Sequence, residues 1–317
     1  MLNRLIPRVG RNDDAAAATR RVASVIGDVA SMIILCADDY AMTEGVSRAI
    51  GELAAARRLS ATSALTTSSH WPRMAPRLLV HRGHLSIGLH VNLTLGQPLG
   101  QMPRLAPQGI LPPLASLTAW ALGGVLDAEE IGAEIGRQLD RFETALGFPP
   151  DHIDGHQHVH VLPGVRRALL KEVTRRYPVR APLMRDPSDR LASILSRRST
   201  VAKALTVAAL AFGFAHSARK RGLHTNDSFA GFSRFDERQP YAEELAQALS
   251  APGQRHLVMC HPGHPDAELA SLDPVVNRRR MEYEALMADS TLMARIWRPA
   301  RRGDGAPFDW SLSDPDA

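Results

Sequence analysis

The decapeptide Asp151-His-Ile-Asp-Gly-His-Gln-His-Val-His160 carries four of the chain's thirteen histidines, alternating with Asp154 as D-x-H-x-H-x-H. In an extended backbone alternate residues point the same way, so Asp154, His156, His158 and His160 would share one face. Imidazole is the commonest protein metal ligand, and a carboxylate beside it either joins the coordination shell or orients the ring. A histidine-rich surface loop would look similar. What sets this stretch apart is that other apolar runs end in the same kinds of group. Residues 32–37 run into Asp38-Asp39, residues 85–91 hold His90 near their end with Asn92 and Thr94 following, and residues 256–260 run into His261. Adjacent carboxylates at the end of a buried run are costly to desolvate unless they are paired or bind a cation. Pro262 holds His261 extended and so fixes its ring direction.

Asp38, Asp39, His90, Asp154, His156 and His261 thus fall at the ends of four apolar runs. An Asp-His-His set leaves a divalent ion with open positions for water and substrate, as in catalytic rather than structural sites. Such an ion polarises a carbonyl and lowers the pKa of bound water toward neutrality. A carboxylate beside a ligand can take the water proton, and a histidine across the site can protonate a leaving amine. Asp38 and His261 are placed for those two roles. Mixed nitrogen and oxygen ligands suit Zn, Mn, Co or Ni. No G-x-S-x-G elbow, Cys-His nucleophile spacing or phosphate-cradling glycine loop competes with this chemistry. Cys36 and Cys260 read as inert core.

The elements that must hold these residues alternate. Strands are expected at 32–37, 59–65, 85–91, 152–154, 179–184, a stretch ending near Asn226-Asp227-Ser228, and 256–260. Helices are expected at 44–57, 70–82, 127–147, 163–177 and 277–297, with Arg278, Arg279 and Arg280 solvated. Asp127-Ala-Glu-Glu130 resembles a capping box, and Gly147 should end the helix that it starts. Residues 96–126 read as a long Pro- and Gly-rich loop over the site. Residues 191–220 are basic at both ends and apolar between. They read as a core helix and its neighbour, with a membrane-surface helix as the alternative. About seven strand–helix units fit a single-domain α/β barrel, whose active site lies at the C-terminal strand ends. The barrel would span 32–298, after an N-terminal extension (1–31) that is disordered or precedes a true start at Met32, and before an irregular tail (299–317).

A content of 44% hydrophobic and 22% charged residues is that of an ordinary globular protein. No apolar run reaches the roughly 18–20 residues needed to span a bilayer. The net charge of +5 permits an anionic partner such as phospholipid, but no nucleic-acid motif accompanies it. Two cysteines rule out a disulfide framework and fit a reducing cytoplasm. A homodimer is allowed.

In order along the chain, Ile34-Leu-Cys-Ala-Asp-Asp-Tyr40, Ser60-Ala-Thr-Ser63, Ile87-Gly-Leu-His-Val-Asn-Leu-Thr94, His152-Ile-Asp-Gly-His-Gln-His-Val-His160 and Met259-Cys-His-Pro-Gly263 resemble the YdjC-like carbohydrate deacetylases. That family includes chitooligosaccharide deacetylases and hopanoid-associated relatives. The resemblance implies a seven-stranded (β/α) barrel that removes N-acetyl groups from sugars with one divalent ion, Mg joining the metals above. By motif, Asp39, His90 and His156 would bind the metal, Asp38 would be the base and His261 the acid. Tyr40 stands where the family usually has Phe. Neighbours two apart on an extended backbone sit about 6–7 Å apart, so His156 is expected to coordinate without His158 and His160. Those two, with Asn92, Asp154 and Asp227, would line the sugar cleft or support the ligands. A metal phosphoesterase, or a metal-stabilised carbohydrate-binding protein without turnover, are the alternatives. Simple binding has no need of both Asp38 and His261.

Overall fold

The computed structural model describes residues 31–197, 200–299, 308 and 310. The expected leader and most of the expected tail lie outside the described residues. Seven strands alternate with helices: β1 (Met32–Tyr40), β2 (Ala61–Ala64), β3 (Ser86–Val91), β4 (His152–Gly155), β5 (Leu183–Met184), β6 (Ser228–Ala230) and β7 (Arg255–Cys260). All pair in parallel, in the order β5-β4-β3-β2-β1-β7-β6. Among the described residues one parallel bridge, from Met184 to Thr225, joins the two edges, so the sheet curls into the expected (β/α) barrel with a thin seam.

Strand periodicity explains both layers. Ile34 and Cys36 pack with Ala61, Leu257 and Met259 in one cluster, while Leu35 and Ala37 pack with the surrounding helices in another. Alternate residues continue each inward series toward the C-terminal end: Asp38 follows Cys36, His90 follows Gly88, Asp154 follows His152, and His261 follows Met259. Gly88 serves this packing. A Cβ there would lie 2.3 Å from His152 Nε2.

The outer helices are α1 (Glu44–Ala55), α2 (Trp71–Leu78), α3 (Leu114–Leu122), α4 (Ala128–Leu146), α5 (Val165–Arg176), α6 (Leu191–Arg197), α7 (Val201–Leu210), α8 (Phe214–Arg219), α9 (Tyr241–Ala248), α10 (Ala267–Leu272), α11 (Asn277–Ala288) and α12 (Leu292–Arg295). Helix α4 forms as its sequence dictates. The Asp127 side chain accepts from the N–H groups of Glu129 and Glu130, and Gly147 ends the helix at φ 78°. Its face of Ile131, Ile135, Leu139, Phe142 and Leu146 is buried, each side chain contributing roughly 1.5–3 kcal/mol.

Four expectations need correction. The loop at 96–126 contains α3. The sixth strand begins at Ser228 rather than ending there. Arg278 and Arg279 are buried, because at helical spacing they share the inner face of α11 with Glu282; Arg278 pairs with Glu244 at 2.8 Å. Only Arg280 of that run is exposed. Finally, Val201–Arg219 is long and apolar enough to cross a membrane by length and composition, and only 22% of it is buried. It breaks around Gly213 (φ 78°) into α7 and α8, and α7 buries Ala204 alone, so the core-helix reading fails.

Past residue 298, Phe308 and Trp310 are packed. Their rings lie against Trp297 at 5.4 and 5.3 Å, Trp310 Nε1 donates to the Asp151 carbonyl, and the Trp297 N–H donates to Ile33. These contacts cover the N-terminal ends of β1 and β4, opposite the polar strand ends.

Candidate metal centre and active site

In a regular strand Asp38 and Asp39 would point to opposite faces. The β1–β2 register shifts between Ala37 and Tyr40, and Asp39 takes φ 67° with Ala41 at 71°. This bulge, with a left-handed residue inside it, turns both carboxylates into one cavity. Such strain persists only where the surroundings over-determine it, and it concentrates at functional sites. Tyr40 closes the turn, its hydroxyl donating to the Met74 carbonyl at 2.9 Å, so the extra oxygen at this position has a partner.

Three donors from three strand ends converge. Asp39 Oδ1 lies 2.9 Å from His156 Nδ1 and 3.3 Å from His90 Nε2, and all three lie within 4.8 Å of one another. The far nitrogen of His90 is held by Asp154, Nδ1 to Oδ1 at 2.6 Å, which fixes the ring with Nε2 toward the cluster. The other oxygen of Asp39 accepts from Arg279 at 2.7 Å, leaving Oδ1 for the cluster. One carboxylate oxygen and two imidazoles form the donor set of an open catalytic site for a divalent ion, and the residues present fit such a group. Two further groupings, Cys36-His152-Asp154 and Asp38-His90-Asp154, are filled by Arg185. Its guanidinium meets Asp38 Oδ2 at 2.6 Å, Asp38 Oδ1 at 2.7 Å, Cys36 Sγ at 3.1 Å and Asp154 Oδ2. Ser63 Oγ adds a donor to Asp38 at 3.2 Å.

The charge of the cluster suits a cation. Asp38, Asp39 and Asp154 are buried together, faced by Arg185 and Arg279, which leaves a residual negative charge. Burial alone would lower His90, but Asp154 and its neighbours lift it to about 10, so it carries the balancing proton when no cation is bound. Burial would raise Asp39, yet Arg279 and His156 hold it well below the usual carboxylate range. Burial would likewise raise Asp154, and Arg185 and His90 outweigh it. Across the cavity, burial pushes His261 down to about 4 against the pull of Asp39 and Asp38. Its backbone N–H donates to Glu282 at 2.6 Å. Burial raises Glu282 to about 7, even with that bond and Arg279 acting to lower it.

The histidine stretch does not stay extended. β4 stops at Gly155, and a tight turn follows over His156–Val161, with Gln157 and His158 left-handed at φ 53° and 60°. His156 therefore reaches Asp39 and His90. His158 lines the cavity beside Phe229 and Phe232. His160 turns away, its Nε2 donating to the Arg185 carbonyl at 2.8 Å and its ring against Phe214. The cavity holds about 690 Å³ and brings together Asp38, Asp39, His90, His156, His158 and His261. Its wider walls are mostly aliphatic, with Leu95, Leu114, Val207 and Leu210 among them.

Two expected residues lie elsewhere. Asn92 ties its own loop, donating to Thr67 and Leu95 and accepting from the N–H groups of Thr94 and Leu95. Asp227 is exposed and accepts from the Arg255 N–H at the N-terminal ends of β6 and β7, opposite the cavity. The sequence reading missed Arg185, Arg279, Ser63 and Glu282. An arginine directly after a buried strand, as in Leu183-Met-Arg185, was the available signal for the first.

Fold and site together define a (β/α) barrel with an Asp-His-His centre at its C-terminal rim. The chain matches the YdjC-like protein family over residues 32–294 and belongs to it. It is 31% identical to the carbohydrate deacetylase of Mus musculus over 248 residues, covering 74% of this chain and 78% of that protein. It is 35% identical to the chitooligosaccharide deacetylase of Proteus mirabilis over 135 residues, 42% of this chain. The match spans about half the length of that relative and of the Serratia marcescens chitooligosaccharide deacetylase, 51% and 52%. In fold it is similar to an Enterococcus faecalis V583 protein provisionally named for cellobiose-phosphate cleavage. That crystal structure gives a TM-score of 0.62 at 20% identity, covering 85% of this chain and 97% of that one.

Proposed function

We propose that this chain is a metal-dependent carbohydrate N-deacetylase, hydrolysing the acetamide of an amino sugar to acetate and free amine. The substrate is an oligosaccharide or the head group of a glycolipid. The observation that carries the reading is the convergence of Asp39, His90 and His156, with Asp38 and His261 facing the same cavity. The names of the family's deacetylases support it. Held by Asp39, His90 and His156, a divalent ion (Mg or Zn, with Mn, Co or Ni as alternatives) supplies Lewis acidity toward the amide carbonyl and a water of lowered pKa.

The chain's own groups do the rest. Asp38, clamped at both oxygens by Arg185 and touched by Ser63, stands beside the cluster and accepts the proton of the attacking water. Asp154 keeps the His90 ring aimed. His261, across the cavity, gives a proton to the amine nitrogen as its bond to the acyl carbon breaks. Its low pKa makes it a strong donor once charged, and it must gain that proton in the substrate complex. Asp38→Asn and His261→Ala should each keep bound metal and lose roughly 10²–10⁴ in turnover, the range for removing a general acid or base. Turnover within about tenfold of wild type for either variant, at normal metal content, removes that residue from the mechanism.

A further inference from the structure

A helix on the surface of a globular protein normally turns its apolar stripe inward and its polar face to water. Helix α7 is instead apolar on both sides over much of its length. Its exposed residues include Ala202, Leu205 and Ala209 at helical spacing, and the stripe runs on to Phe212, which is 84% exposed. Its inner side, through Val207 and Leu210, is a wall of the active-site cavity. Helix α3 repeats the pattern on another wall. Leu114 and Thr118 line the cavity, while Ala115, Ala119, Leu122 and the following Val125 face solvent.

On the α7–α8 segment itself the charges have one sign. From Arg190 to Asn226, both ends included, the sequence holds seven Lys and Arg residues and no Asp or Glu; one of them, Arg197, is buried and paired with Asp189. Arg219, Lys220 and Arg221 are exposed there, beside the apolar stripe. A water-facing apolar stripe bordered by cations is the chemistry that partitions into the interface of an anionic bilayer: rings and aliphatic groups enter among the acyl chains while cations meet phosphate.

We infer that α7 and α8, together with α3, dock this protein onto an anionic phospholipid bilayer, with the mouth of the active-site cavity beside the docked surface. The docking stands without the deacetylase reading. Combined with that reading, it gives the aliphatic walls of the cavity an amphiphilic substrate, a sugar head group presented from the membrane plane.

Co-sedimentation of the full chain with vesicles tests it, using phosphatidylcholine alone and phosphatidylcholine with about one-third phosphatidylglycerol. Binding should occur on the anionic vesicles only and should weaken as salt screens the cations. The double variant Leu205→Ser/Phe212→Ser should bind about tenfold more weakly or worse, since it removes the inserting groups. Neither residue lines the cavity, so activity on a soluble acetamido sugar should be unchanged, which separates lost docking from lost folding. Lys220→Glu/Arg221→Glu should weaken anionic binding as well. The proposal is overturned by no binding at low salt, by equal binding to neutral vesicles, or by wild-type binding of the Leu205/Phe212 variant. It is also overturned if the wild type self-associates in solution and that variant abolishes the association, because a second copy of the chain would then cover the stripe.

Discussion

Arg185 is the residue on which the buried charge of the site turns, and replacing it gives a signed prediction. Its guanidinium is fully buried and makes contacts at 2.6 and 2.7 Å to the two oxygens of Asp38, with a further contact to Asp154. Arg185→Met leaves both carboxylates buried without it. Asp154 still has His90 Nδ1 at 2.6 Å, but Asp38 keeps only the Ser63 hydroxyl at 3.2 Å. Stranding a buried charge costs about 3–5 kcal/mol, a large part of the roughly 5–15 kcal/mol that holds a domain together. Asp38→Asn alone should be milder, because Arg185 retains Asp154. In the double variant the stranded charge is gone, so Arg185→Met/Asp38→Asn should be more stable than Arg185→Met, with a coupling energy of roughly 1–3 kcal/mol. Urea unfolding of the four metal-free proteins measures it. If Arg185→Met lies within about 1 kcal/mol of wild type, or the second substitution adds its full separate loss, the electrostatic account of the site is wrong.

Two more predictions concern the same neighbourhood. Asp39→Ala, His90→Ala and His156→Ala should each sharply lower bound divalent ion by elemental analysis while His158→Ala does not; normal metal content in all three would refute the ligand set. Glu282 is an acid whose folded pKa is raised from 4.5 to about 7 by burial. The folded state therefore keeps its proton longer than the unfolded one, and this group's stabilising influence is full below about 4.5 and fades as pH rises through about 7. Glu282→Gln should gain on wild type by roughly 3 kcal/mol between about pH 4 and pH 8. Parallel urea curves across that range, with a constant difference, would contradict the assignment.

The residue types at the strand ends were legible because chemistry and periodicity agree there. Asp38, His90, Asp154 and His261 each continue an inward-facing series whose earlier members are apolar, small or buried, so alternation alone puts them at one rim. Helix α4 was legible for the same reason, its caps and its apolar spacing pointing one way. What could not be read were departures from regular geometry. Strict alternation separates Asp38 from Asp39, and only the bulge with a left-handed Asp39 reunites them. Alternation likewise places His156, His158 and His160 on one face, whereas two left-handed residues send them three ways. Charge misled in both directions. Arg279 looks like part of a solvated run, but the carboxylates of Asp39 and Asp273 make its burial affordable. Asp227 looks like a site acid, but its strand starts where it was expected to end.

Hydrolysis of a sugar acetamide at the Asp39-His90-His156 centre is tested most directly by product release from N-acetylglucosamine oligomers and a lipid-linked N-acetylated sugar. Acetate and free amine should appear in equal amounts from at least one of them, abolished by a chelator, restored by a divalent ion, and absent from Asp38→Asn that retains its metal. Equal release with and without chelator, or no acetate from either class while phosphate is freed from sugar phosphates, would contradict it.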